Sequence, residues 1–237
     1  MITLKSAHEI ELMRRAGKIT AAARALAGEM VKPGVTTREI DKAVFHFIRS
    51  QGAEPSFLNY NGYPASVCVS VNDEIIHGVP GDRVLREGDI VSVDVGARYR
   101  GFNGDCAGTF PCGKCSDEAL RLIRITRQSF FEGIQFARVG YRISDIGHAI
   151  QEYAESYGYS LVREYVGHGV GADLFGVFGG EYGAAYDDLD ARHLGMKQLD
   201  GLFHGDDRGS HKRREADEFD IALLDGLEYL LRIDVAA

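Results

Sequence analysis

The stretch from Asp89 to Phe110, DIVSVDVGARYRGFNGDCAGTF, constrains the fold more than any other. Val91, Val93 and Val95 alternate with Ser92, Asp94 and Gly96, the period of a strand buried on one face, which turns Asp94 away from the apolar side. A tight turn at Tyr99-Arg100, closed by Gly101, predicts a hairpin of Asp89–Arg98 with Gly101–Phe110, in which residues whose numbers sum to 199 face each other. Asp94 and Asp105 then lie directly opposite, with Cβ atoms about 5 Å apart. Two carboxylates so placed repel. Either one holds a proton, or a divalent cation sits between them; otherwise both are solvated on the strand, or a register that differs by one separates them.

Helices flank this hairpin. Ser6 with Glu9 and Thr36 with Glu39 are capping boxes, predicting one helix to about Met30, before Pro33-Gly34, and another to about Gly52. Ser66–Val71 is β-rich, Asn72-Asp73 is a turn and Glu74–Val79 is extended; helical periods return over 116–138 and 144–157, with a strand over 160–166. The order gives an α+β fold, helices against antiparallel strands in a half-repeated layout, without a repeat in the sequence itself. No run of apolar residues is long enough to span a membrane and no apolar signal region opens the chain, so the chain reads as cytoplasmic.

Two histidines stand in suggestive places. His168 lies in GHGVG just past a strand end, and His77 lies in IIHGVP, read as extended. A mixed Asp, Asp, His set favours Mn, Fe, Co or Zn over Ca. Each histidine taken alone is more often a structural or surface residue than a catalytic one, and His8, His46, His148, His193, His204 and His211 have no such setting. Cys112 and Cys115 form a lone CxxC, either a turn with two incidental thiols or part of a zinc knuckle needing two more ligands.

With their surroundings, these residues resemble the type I methionine aminopeptidases. The likeness runs from about Ile2 to Leu174 through KPGVTT (32–37), FLNYNGYPASVCVSVNDEIIHGVPGDR (57–83), LREGDIVSVDVG (85–96), FNGDCAGTF (102–110) and YVGHGVGADL (165–174). The resemblance implies the pita-bread fold, two pseudo-symmetric halves with a dinuclear metal centre between them. It places Asp94, Asp105 and His168 at metal-ligand positions. His77 matches the histidine that contacts substrate and orients or polarises the reacting amide. Tyr60, Tyr63 and Cys68 match walls of the pocket for the methionine side chain, where a thioether packs well. The implied cofactor is a divalent metal (Co, Mn, Fe or Zn), two ions in the family and one or none here. The implied substrates are peptide and protein N-termini beginning with Met, nascent chains at the ribosome among them, with no specific nucleic acid and no membrane as partner.

After Leu174 the pattern stops. Phe175, Gly176, Val177 and Phe178 follow where an H-E-x-P stretch is expected, and Phe175 takes the place of a second substrate-binding histidine. No I-E-P-M segment follows, and Glu181, Glu215, Glu218 and Glu228 lie in no context matching the family's two glutamate ligands. Composition changes at the same point. All five prolines precede it, and residues 1–174 carry 20 Lys and Arg against 21 Asp and Glu, whereas 175–237 carry 7 against 14. The expected organisation is therefore an aminopeptidase-like domain over 1–174, its second half incomplete with the last strands missing, and an acidic tail over 175–237. Within that tail 216–235 has helical periodicity, and the His211–Arg214 run, flanked by acids, reads as a solvated loop. A frameshift or splice near codon 174 accounts for the loss of motif, proline and charge balance together. Beside the enzyme stand two other readings: an impaired relative that binds metal or peptide without turnover, and a frameshifted or truncated product.

Overall fold

A computed structural model describes residues 5–162 and 168–174, together with a strand at 233–234. In chain order it contains α1 (Ala7–Met30), α2 (Thr37–Ser50), β1 (Glu54–Pro55), a 3-10 turn (Tyr60–Gly62), β2 (Val67–Val71), β3 (Ile90–Tyr99) and β4 (Phe102–Pro111). There follow α3 (Asp117–Ile134), α4 (Ile143–Ser156), β5 (Ser160–Leu161) and β6 (Ile233–Asp234).

Both capping boxes form. The Ser6 backbone N–H donates to Glu9 Oε2 at 2.7 Å while Ser6 Oγ accepts from the Glu9 N–H, and Thr36 and Glu39 repeat the arrangement. The α3 helix follows an N-cap at Ser116, where the helical period begins, but ends four residues earlier than that period suggests. Phe136 and Ala137 donate to the carbonyls of Gly133 and Ile134, three residues back, so the last turn tightens and the α-helix closes.

The long strand β3 organises the sheet. It pairs with β4 along its whole length on one side, and with β2 (Val67–Val71) and β1 end to end on the other, all antiparallel. One face buries Val67, Val69, Val71, Val91, Val93, Val95 and Ala97 against α1 and α2. Each buried valine contributes roughly 1.5–3 kcal/mol of transfer free energy. Helix α1 reaches the sheet with a stripe of small residues, Ala16, Gly17, Thr20, Ala23 and Ala27. At the closest approach Gly104 of β4 leaves no room for a Cβ, which would lie 2.7 Å from the Gly17 nitrogen. Helices α3 and α4 pack on each other around Phe130, Ile134, Ala137, Ile146 and Ile150.

The hairpin differs from expectation in register. Its two turn residues are Arg100 and Gly101, with φ of +47° and +90°, and Tyr99 faces Phe102, so facing residues sum to 201. A two-residue hairpin turn of this kind needs positive φ at both central positions, and glycine adopts it without penalty, which moves the turn one residue on. Asp94 consequently faces Ala107 and Asp105 faces Gly96. The carboxylates are diagonal neighbours rather than opposite, a separation of about 7–8 Å in such ladders. A shift of two preserves parity, so both still share a face.

Glu74–Val79 is irregular rather than extended, and His77 has a left-handed backbone with φ of +58°. Of the predicted strand over 160–166, Ser160–Leu161 is strand, pairing with Ile233–Asp234, while 163–167 lie outside the described residues. The predicted helix over 216–235 also lies outside them, apart from that strand pair. Among the described residues no helix is long and apolar enough to cross a membrane.

Two stability outcomes follow from this packing. Gly104→Ala should lose about 1–3 kcal/mol in denaturant titration, because backbone lies where the methyl must go. Gly147→Ala, on α4 with nothing within 4 Å of the new methyl, should gain roughly 0.5–1 kcal/mol. The backbone hydrogen bonds from Ser6 and Thr36 hold the Glu9 and Glu39 carboxyls below their ordinary range. Their stabilisation is present above the unfolded carboxylate pKa and is lost as pH falls through the folded value. Acid melts of Glu39→Gln should show a shallower loss on that limb.

Candidate active site

The second face of the sheet is polar and also buried. It carries Cys68 and Ser70 from β2, Ser92, Asp94 and Gly96 from β3, and Asn103, Asp105, Ala107 and Thr109 from β4. Asp94 and Asp105 are each only 3% exposed. Their Oδ1 atoms accept no hydrogen bond from the described residues, although each side chain interacts elsewhere. Enclosing two carboxylates on one face is costly unless positive charge or hydrogen bonds compensate.

His168, 8% exposed, comes to this face from the segment after the last helix. Its Nδ1 lies 3.1 Å from the Gly169 carbonyl. A carbonyl only accepts, so Nδ1 carries the proton, and the neutral ring presents the lone pair of Nε2. That Nε2 stands 3.7 Å from Asp105 Oδ2. Burial pushes the imidazole pKa down, against the smaller upward pull of the Gly169 hydrogen bond, so this contact is not an ion pair at neutral pH. Two acceptors then face each other at a distance too long for a hydrogen bond. The distance suits a shared cation, since Zn-type ligand bonds run about 2.0–2.2 Å. The donor chemistry fits a divalent transition ion. Among the described residues, however, no three His, Cys, Asp or Glu side chains form a complete metal-holding cluster.

Asn103 fixes the segment that carries His168. Its Nδ2 donates to the Gly171 and Ala172 carbonyls, both at 3.1 Å, and its backbone N–H donates to Gly171 at 2.8 Å. Its Oδ1 accepts from the Ser56 hydroxyl at 2.8 Å. This buried amide went unremarked in the sequence, although asparagine inside a strand is itself a signal, being a poor strand former.

Beside Asp94, in register on the neighbouring strand, Cys68 joins Phe57 and Leu174 in a small apolar cluster, and Tyr63 packs against it. The Tyr63 hydroxyl lies 3.1 Å from the carbonyls of Val67 and Gly78. Burial pushes its pKa far up, so it stays a neutral donor. Tyr60 is 36% exposed in the 3-10 turn, and His77 is exposed on its loop. Phe57 and Leu174 join this patch beyond the residues read from the sequence. Away from it, the Cys115 thiol donates to the Asp89 carbonyl at 3.3 Å and both CxxC thiols are buried, the geometry of a turn.

Residues 11–191 match the model of metallopeptidase family M24. The "Methionine aminopeptidase 1" of Bacillus subtilis is 49% identical over 174 residues, 73% of this chain and 70% of the relative. The chain belongs to the methionine aminopeptidases of family M24. Its fold is the pita-bread fold of that family, and close homology assigns it methionine aminopeptidase function. Solved methionine aminopeptidases from Rickettsia prowazekii and Thermotoga maritima superpose with TM-scores of 0.73 and 0.72 at 39% and 41% identity, each comparison covering 74% of this chain and 71% of the other.

Removing the amide that anchors the His168 segment tests its place in the site. Asn103→Ala should cost about 1–3 kcal/mol in chemical denaturation, because it strands buried carbonyls. Limited proteolysis should then cut first near 168–174.

Proposed function

We propose that the chain removes the N-terminal methionine from newly made peptides and proteins by metal-assisted hydrolysis, with Asp94, Asp105 and His168 as the metal ligands. The facing of His168 Nε2 and Asp105 Oδ2 at 3.7 Å, on the buried face that also holds Asp94, carries this reading. A divalent ion held there (Co, Mn, Fe or Zn) supplies polarisation of the first peptide carbonyl and acidification of a water.

The protein's own residues do the rest. Asp94 and Asp105 stand together on the floor of the site, and the Gly169 carbonyl keeps His168 in the tautomer whose Nε2 is a donor of electrons. Phe57, Tyr63, Cys68 and Leu174, with Tyr60 at the rim, form an apolar wall suited to an unbranched thioether. His77, on the loop that Gly78 ties to β2, holds the reacting amide through its imidazole. Three donors suit one ion with open positions for water, whereas a bridged pair needs further carboxylates.

The absence of both family glutamates from any matching context after Leu174 favours a second reading, in which the chain binds metal or a Met peptide without turnover. Purified chain supplied with Mn or Co should release Met from a Met-Gly peptide and bind close to one equivalent of metal by calorimetry. Asp94→Ala should abolish the release and weaken metal binding at least tenfold. Peptide binding without release would establish the second reading, and release unchanged in Asp94→Ala would sink the ligand assignment.

A further inference from the structure

We propose that Ser70 is a positioning residue for His77, acting through the backbone of Gly78. The inference rests on the reading of His77 as the residue that holds the reacting amide. Its ground is the way one peptide unit is pinned.

The loop after β2 returns to the strand it has just left. At Gly78 the Val69 N–H donates to the Gly78 carbonyl at 2.9 Å, and the Tyr63 hydroxyl lies 3.1 Å from the same oxygen. On the other side, the Gly78 N–H donates to Ser70 Oγ at 3.1 Å. The approach is so close that a Cβ at residue 78 would run into the Val69 carbonyl and stand 2.8 Å from Ser70 Cα. Only glycine fits, and the loop is anchored main chain to main chain.

The Gly78 nitrogen belongs to the peptide plane that begins at the His77 carbonyl. Fixing that N–H therefore fixes the ψ angle of His77. The residue needs fixing, because its φ of +58° is one that non-glycine residues adopt only when surroundings enforce it. Without the Ser70 acceptor, the 77–78 peptide loses the anchor on its N–H side and the imidazole shifts from its place. Ser70 is 1% exposed and stands on the face that carries Asp94, one strand over, so its hydroxyl locks the exposed loop to the buried floor. Tyr63 shares the clamp but also lines the apolar wall, so Ser70 is the member that separates positioning from substrate contact.

The test uses the full chain and four variants: Ser70→Ala, Ser70→Thr, His77→Ala and the Ser70→Ala/His77→Ala double. Hydrogen exchange reads the clamp directly, and the Gly78 amide should exchange at least tenfold faster in Ser70→Ala, beyond any change at the amides of the β3–β4 hairpin. In Met release, Ser70→Ala should lower kcat about tenfold with KM within twofold, as small misplacements of a reacting group do. Ser70→Thr, which keeps the hydroxyl, should recover most of the loss. In the His77→Ala background the Ser70→Ala change should cost nothing further, because the two residues act as one unit.

An equal additional loss in that background, or unchanged Gly78 exchange, overturns the proposal. His77→Ala with undiminished kcat rejects the reading of His77 itself, which is a different failure. Should the chain bind peptide without turnover, the His77 ring-proton resonance replaces kcat. A line that shifts or doubles in Ser70→Ala supports the proposal, and an unaltered line rejects it.

Discussion

The pairing of β3 with β4 is the constraint on which the rest of the site depends. A one-residue slip in this hairpin would send Asp105 into the valine face and bring Cys106 to the floor of the site. Two features forbid it. Arg100 and Gly101 fix the turn through their positive φ, and Gly104 must face Gly17 because only there do helix and strand backbones fit. The apolar side of the sheet thus holds the polar side in place. Seven valine and alanine side chains on one face determine which two carboxylates are enclosed on the other.

Both candidate histidines sit on irregular segments, and both segments are secured in the same manner. A short polar side chain on the floor strand binds main-chain atoms of the loop: Asn103 for the segment of His168, Ser70 for that of His77. Such bonds add little net stability one by one, yet leaving any of these buried groups unsatisfied is expensive. The sheet therefore specifies loop position through unmet need as much as through attraction. Neither anchor is ionisable, so the titratable groups of the floor strands' polar face are Asp94, Asp105 and Cys68.

The sequence revealed elements whose signals are local. The capping boxes are written within four residues, and the faces of β3 follow from its alternation. The diagonal placement of Asp94 and Asp105 was not legible, because the turn's position depends on which residue accepts positive φ; parity survived because the error was two in the sum. Glu74–Val79 is irregular where its sequence reads as extended, because its shape comes from Tyr63 and Ser70, which no periodicity connects to it. Asn103 shows the same limit at longer range, since its carbonyl partners lie 68 and 69 residues away. The three proposed donors were found through the motifs around them rather than through spacing alone.

The distribution of those donors along the chain bears on how the site is assembled. Asp94 and Asp105 belong to one hairpin, eleven residues apart, whereas His168 follows sixty-three residues after the second aspartate. Hairpins close in microseconds and long loops later, so the carboxylates meet before the imidazole arrives. In that interval they form an open, hydrated pair without its neutral lid. Docking of residues 168–174 through Asn103 then closes over that pair. The floor of the site is thus a product of local pairing, and its cover a product of long-range docking, so the two can be lost separately.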